Sequence, residues 1–198
     1  MGDAMNAMEI SGDEAAWSLP SAGRVGMFCL IAAESAIFVI FIVAYAFYLG
    51  KSPSGPTPSV LSPPILLSAC LLSSSATMEL AVRSLKRGEA RAFAAWWVST
   101  IALGSIFLIG TALEWQHLVV DERLTINSNL FGTTFYCLVG LHASHVTIGL
   151  ILMTSVALIG MNQVTREHLP KIDVIALYWH FVDTVWVVVF TLVYIVGR

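Results

Sequence analysis

Residues 130–161 read LFGTTFYCLVGLHASHVTIGLILMTSVALIGM. The stretch holds no Asp, Glu, Lys or Arg, and about 20 mostly apolar residues suffice for a helix to cross the hydrocarbon core of a bilayer. Because it is longer than a bilayer requires, this helix is expected to tilt or to project beyond the membrane. Its most polar side chains are His142 and His145, three residues apart and so on one helix face. Gly140, Ala143, Ser144, Thr147 and Gly149 lie around them, and small residues let membrane helices approach closely. The stretch therefore reads as a spanning helix with one face built against protein.

Four further stretches pass the same test: 25–49, 63–82, 93–115 and 174–196. The whole chain agrees, with 57% apolar and 12% charged residues and a mean hydropathy of +0.80. Soluble domains are about a quarter charged, so this one lacks the polar surface to coat a water-soluble globule. Disordered chains are charge-rich and apolar-poor, which excludes that class. A net charge of −3 with no basic stripe disfavours nucleic acid as a partner. The expected fold is all-α: a polytopic bundle of five transmembrane helices over residues 25–198, preceded by a polar tail over 1–24. That tail has neither the basic start nor the cleavage site of a secretory signal, so the first helix is expected to be retained.

The connectors are punctuated clearly. GKSPSGPTPSVLSPP over 50–64 is a Pro-, Gly- and Ser-rich loop, and RSLKRGEAR over 83–91 is a basic connector in which Gly88 is a plausible helix stop. Residues 115–129 and 162–173 form polar links. Five spans put Arg24, Arg83, Lys86, Arg87, Arg91, Arg166 and Lys171 on one side, seven of the ten Lys and Arg residues. Cytoplasmic connectors carry the basic excess, so the N-terminus is expected in the cytoplasm and the C-terminus outside.

Ionisable groups at membrane depth cost several kcal/mol and ask for a reason. Here they are Glu34, Glu79, Glu114, His142, His145, His180 and Asp183. Glu34 and Asp183 each lie nine residues into their spans, roughly 14 Å deep, and His142 lies roughly 18 Å deep from the opposite side. Three helices thus bring a polar group to about one level, while Glu79 and Glu114 fall near the interfaces, where water or headgroups solvate them. Three readings fit the deep set: a satisfied interior network with Asp183 and Glu34 accepting from His and Trp donors, a proton relay, and a metal or haem site. The first is favoured, because bundle metal sites are built with Glu-x-x-His pairs and none of these deep residues belongs to one. Trp115, Tyr178, Trp179 and Tyr194, with Trp17, Trp96 and Trp97 on the inner side, are expected in the interfacial belts. Cys29, Cys70 and Cys137 lack C-x-x-C spacing and read as apolar packing.

The last span carries more than generic signals. Tyr178-Trp179-His180-Phe181-Val182-Asp183-Thr184-Val185-Trp186 resembles the Y-W-H-F-V-D-x-V-W signature of subunit III of haem–copper terminal oxidases. Gly140-Leu141-His142-Ala143-Ser144-His145-Val146, Gly132-Thr133-Thr134-Phe135-Tyr136 and the stretch from Gly26-Met27 to Ala33-Glu34 are similar to further family motifs, in order, over roughly residues 22–198. The five spans resemble the family's five-helix bacterial form.

This resemblance implies an accessory subunit of an aerobic cytochrome c oxidase in the bacterial inner membrane, in a complex that reduces oxygen to water while translocating protons. Such a subunit carries no redox centre, metal or catalytic residue of its own. Its partners are subunit I and subunit II, which hold the haem and copper, and phospholipid bound between its helices; cytochrome c or quinol reaches the complex through other subunits. The role implied is to support subunit I stability, proton uptake and oxygen access. The resemblance marks Glu34 as the family's intramembrane glutamate, Glu114 as the acid ending its third shared helix, and His142, His145, His180 and Asp183 as recurrent polar residues. Tyr178-Trp179-His180 points to cytochrome c as donor. The alternatives are subunit III of a quinol oxidase or of a nitric oxide reductase complex and, from another class, a stand-alone proton-coupled carrier working through Glu34 and Asp183.

Overall fold

A computed structural model describes residues 22–51, 55–160 and 164–197. The polar tail up to residue 21 with Trp17, and Met161 at the end of the expected fourth span, lie outside the described residues. The secondary structure described is helical: α1 (Ala22–Tyr48), α2 (Ile65–Arg87), α3 (Ala90–Val120), α4 (Leu130–Gly160) and α5 (Leu169–Phe190), with no strand among the described residues. All five helices are long and apolar enough to cross a membrane. A π-helical turn, Thr191–Val196, continues α5.

Several helices outrun their apolar cores. The third was expected to stop at 115 but continues through Gln116 and His117 to Val120. The second runs to Arg87, leaving only Gly88 and Glu89 between α2 and α3. Hydropathy marks the part of a helix in oil, whereas the backbone ladder continues until something caps it. At Gly88 the cap is explicit. The residue adopts φ +80°, its N–H donates to the Leu85 carbonyl, and the Glu89 N–H donates to that of Ser84, both at 3.0 Å. These two bonds are the Schellman pattern that glycine permits. Arg166 Nη2 then donates to the Arg87 carbonyl at 2.6 Å, latching the α4–α5 connector to the end of α2.

α5 is the hub, packed against α1, α2 and α4, while α2 and α3 form an antiparallel hairpin whose α3 also touches α4. In its most apolar window α1 is only 6% buried, against 44% for the fifth span; α1 is the peripheral helix. The centre of the bundle is Trp179, whose side chain is fully enclosed. Its ring lies between Gly104 of α3 and Gly149 of α4: a Cβ on Gly104 would stand 2.9 Å from the ring, and one on Gly149 2.8 Å. The indole Nε1 donates to Ser74 Oγ of α2 at 2.9 Å. One side chain thereby fixes the spacing of four helices.

Gly149→Ala is expected to destabilise the bundle by about 1–3 kcal/mol, the usual cost of overpacking a filled core. A Cβ on Gly26 meets nothing within 4 Å, so Gly26→Ala is the control and should leave the thermal unfolding midpoint in detergent unchanged.

Candidate functional site

The deep polar residues do not form one cluster. Glu34, Asp183 and His142 are not bonded to one another; each is met by different helices.

Glu34 of α1 faces α4. Its Oε2 lies 3.2 Å from His145 Nε2, and His145 Nδ1 lies 2.8 Å from the Leu141 carbonyl one turn back. A carbonyl only accepts, so Nδ1 carries a hydrogen and Nε2 is left to share a proton with Glu34. Either the acid donates to the neutral ring or the imidazolium donates to the carboxylate. The ring is also walled by Phe38, with centroids 5.0 Å apart. Behind it the Tyr178 hydroxyl donates to the His145 carbonyl at 3.1 Å, tying α5 to the same turn of α4.

Asp183 and His180 face α2 instead. Ser75 Oγ donates to Asp183 Oδ2 and lies 3.0 Å from His180 Nδ1. Asp183 was expected to accept from His or Trp, but its donor is a serine. The Trp donors go elsewhere: Trp179 to Ser74, Trp186 to Ser68 at 3.0 Å, and Trp97 to the Met153 carbonyl at 3.0 Å. The reason is steric. The serines of α2 are small enough to let α5 come close, so the large indoles reach across and the short Asp183 meets the nearest hydroxyl. The run Ser68, Ser74, Ser75 and Thr77 is thus the α2 contact face, Thr77 Oγ1 lying 2.7 Å from Thr100 Oγ1 of α3. The serine-rich run of α2 is visible in the sequence, but the partner of each hydroxyl is not.

His142 is different again. It is fully buried, and neither ring nitrogen has a hydrogen-bond partner among the described residues. Its ring stacks on Trp186, centroids 4.9 Å apart at 28°, and meets the edge of Phe107 at 6.0 Å. It behaves as an aromatic plate in the core.

Of the two outer acids, Glu79 is partly exposed and accepts from Arg83 Nε at 2.8 Å, a one-turn pair on α2. Glu114 was expected at a solvated rim, but its Oε1 is enclosed and unpartnered among the described residues. Because α3 continues to Val120, Glu114 sits roughly 9 Å short of the helix end. The interfacial placement of Tyr178, Trp179, Tyr194 and Trp97 is also corrected: all four are buried, because their rings turn inward between helices, while Trp96 stays exposed. Among the described residues no group of three His, Cys, Asp or Glu side chains is placed to hold a metal ion.

Comparison with known proteins decides the family. Residues 10–198 match the family described as cytochrome c oxidase subunit III. The chain belongs to that family. It is 35% identical over 178 residues to cytochrome c oxidase subunit 3 of Alkalihalophilus pseudofirmus, covering 87% of this chain and 86% of the relative. It is 36% identical over 182 residues to the protein of the same name in Synechocystis, covering 89% and 76%. It is 30% identical over 182 residues to a probable quinol oxidase subunit 3 of Staphylococcus saprophyticus, covering 88% and 89%.

In subunit III terms, the Tyr178–Trp186 motif is a packing code as much as a polar one. Tyr178, Trp179, His180, Asp183 and Trp186 each bond or stack across a helix boundary. Trp186→Phe removes a buried donor from Ser68 and is expected to cost about 1–3 kcal/mol, whereas His142→Leu removes a ring with no bonded nitrogen and is expected to cost under about 1 kcal/mol. Thermal melts of the two variants, compared with the parent protein, check this ordering.

Proposed function

We propose that this chain is the accessory, non-catalytic subunit III of an aerobic respiratory cytochrome c oxidase in a bacterial inner membrane, with its N-terminus cytoplasmic and its C-terminus outside. The observation that carries the reading is the family match over nearly the whole chain. The oxidase would reduce oxygen to water and move protons, with haem and copper held by subunits I and II. This chain would stabilise subunit I, sustain proton uptake and leave oxygen an apolar approach. Cytochrome c is the proposed donor because most of the relatives compared carry the cytochrome c oxidase name, while one carries a quinol oxidase name.

The interior supports an accessory role. Glu34 is engaged by His145 and Asp183 by Ser75, and large rings occupy the space between the helices. The residues Glu34, His142, His145, His180 and Asp183 are therefore proposed as the intramembrane polar set of the subunit, with no catalytic step assigned to them. Phospholipid is proposed at a cavity of about 320 Å³ between the facing ends of α4 and α5, where Val156, Ile159 and Ile175 offer apolar walls and His168 and Lys171 a polar mouth. Basic residues gather at that same end of the bundle, with Arg166 bonded to the end of α2 and Arg24 to Asp173 at 3.3 Å, which supports the cytoplasmic assignment.

Extraction in mild detergent tests the proposal. The chain should co-purify with haem-bearing polypeptides, and the separated chain should show no haem absorption and no stoichiometric copper or iron. Purification without such companions, together with substrate movement by the reconstituted chain alone, would establish the carrier instead. Glu34→Gln keeps the size of the side chain and its contact with His145, so the complex should still assemble, with slower or shorter-lived turnover. Loss of assembly would make Glu34 a structural group.

A further inference from the structure

A cleft of about 420 Å³ opens at the end of the bundle where α1 and α5 begin and α2 finishes. Arg24 of α1, Glu79 and Lys86 of α2, and Asp173 and His180 of α5 line it. Arg24 is bonded to Asp173 and Glu79 to Arg83, so the charges along this wall are paired. His180 is its deep end, roughly 10 Å along α5 from Asp173. Beyond it lie Ser75 and then Asp183, which is 2% exposed and whose Oδ1 has no hydrogen-bond partner among the described residues.

The direction of these bonds is set by counting hydrogens. Serine has one hydroxyl hydrogen, and Ser75 gives it to Asp183 Oδ2. The 3.0 Å contact between Ser75 Oγ and His180 Nδ1 must then be donated by Nδ1–H. Donors point one way, from His180 through Ser75 to Asp183, and Nε2 is the ring atom left to exchange with the cleft.

We infer that His180, Ser75 and Asp183 form a proton-binding site that loads from the cleft and stores the proton on Asp183. Hydronium reaching the cleft gives a proton to Nε2 and leaves as water. The Nδ1–H bond then breaks as a new Oγ–H bond forms, and the former Oγ–H bond breaks as an Oδ2–H bond forms. One proton has passed from hydronium to Asp183, the imidazole is neutral again, and nothing is oxidised or reduced. Reversal of the same steps empties the site. An unpartnered buried carboxylate oxygen is costly, and loading removes that charge. Among the described residues no hydrogen bond leads onward from Asp183, which makes the site a store and not a channel. The charged and titratable groups facing it are Arg24 from α1, Glu79 and Lys86 from α2, and Asp173 from α5; Glu34 and His145 are bonded to each other between α1 and α4. The site deepens the proton-uptake part of the role proposed above and rests on that reading.

Infrared difference spectroscopy on the purified complex tests it. Subtracting the spectrum of Asp183→Asn from that of the parent should isolate the carbonyl band of a protonated carboxyl that appears as pH is lowered and shifts in heavy water. Should Asp183→Asn lower the yield of complex, Asp183→Glu assigns the same band by moving it. Ser75→Ala and His180→Gln should keep the band but slow its hydrogen–deuterium exchange on the order of a hundredfold, the scale of a positioned proton-transfer group. A merely structural trio would show unchanged exchange in both variants, which would overturn the inference. So would the absence of any Asp183-dependent carboxyl band across the pH range in which the complex is stable.

Discussion

The bundle depends on the seat of Trp179. In oil there is no hydrophobic force to press one helix on another, and association rests on close packing and interhelical hydrogen bonds. Trp179 supplies both. Its ring fills a slot that exists only because Gly104 and Gly149 lack side chains, and its N–H is satisfied by Ser74. With α2, α3 and α4 fixed around that ring, the neighbouring residues of α5 fall into place. Tyr178 reaches the turn of α4 that carries His145, while His180 and Asp183 meet Ser75 of α2.

Three chemically distinct ways of keeping polar groups in oil follow from this geometry. The Glu34–His145 pair uses mutual proton sharing, with the second ring nitrogen anchored on a backbone carbonyl. The α2–α5 contact uses hydroxyls small enough not to hold the helices apart. His142 is held by ring stacking on Trp186. A charged group left at the bilayer centre costs several kcal/mol, more than a single exposed ion pair returns, so each solution has to be local and well fitted. That requirement explains why Glu34 and Asp183 stand beside a histidine and a serine from another helix.

Much of this was legible in the sequence, and the rest failed for identifiable reasons. Five apolar stretches mark five helices, and Gly88 marks the tight stop between α2 and α3. The small residues around His142 and His145 announced a contact face, and Gly149 proved to be part of the Trp179 seat. Gly104 carried no comparable signal, since one glycine inside an apolar run says nothing about which ring will lie on it. Depth estimates placed Glu34, Asp183 and His142 at one level, but depth fixes height along the membrane normal and not azimuth around each helix. Azimuth is what sends Glu34 to α4 and Asp183 to α2. The aromatic residues were misplaced for a related reason: distance from a span end suggested an interfacial belt, whereas Trp97, Trp179 and Tyr194 point inward. Glu114 was read as terminal because hydropathy fades there, although the helix itself runs on to Val120.

The two deep acids, Glu34 and Asp183, are met by side chains of the bundle's own helices, and electron transfer is proposed to belong to a companion chain. Density for the intact complex in lipid, at a resolution that shows side-chain rotamers, tests this most directly. Glu34 should stand against His145 and Asp183 against Ser75, with every iron and copper atom ligated by other polypeptides. Glu34 or Asp183 turned toward acyl chains, or His142 or His180 bound to a metal, would contradict it.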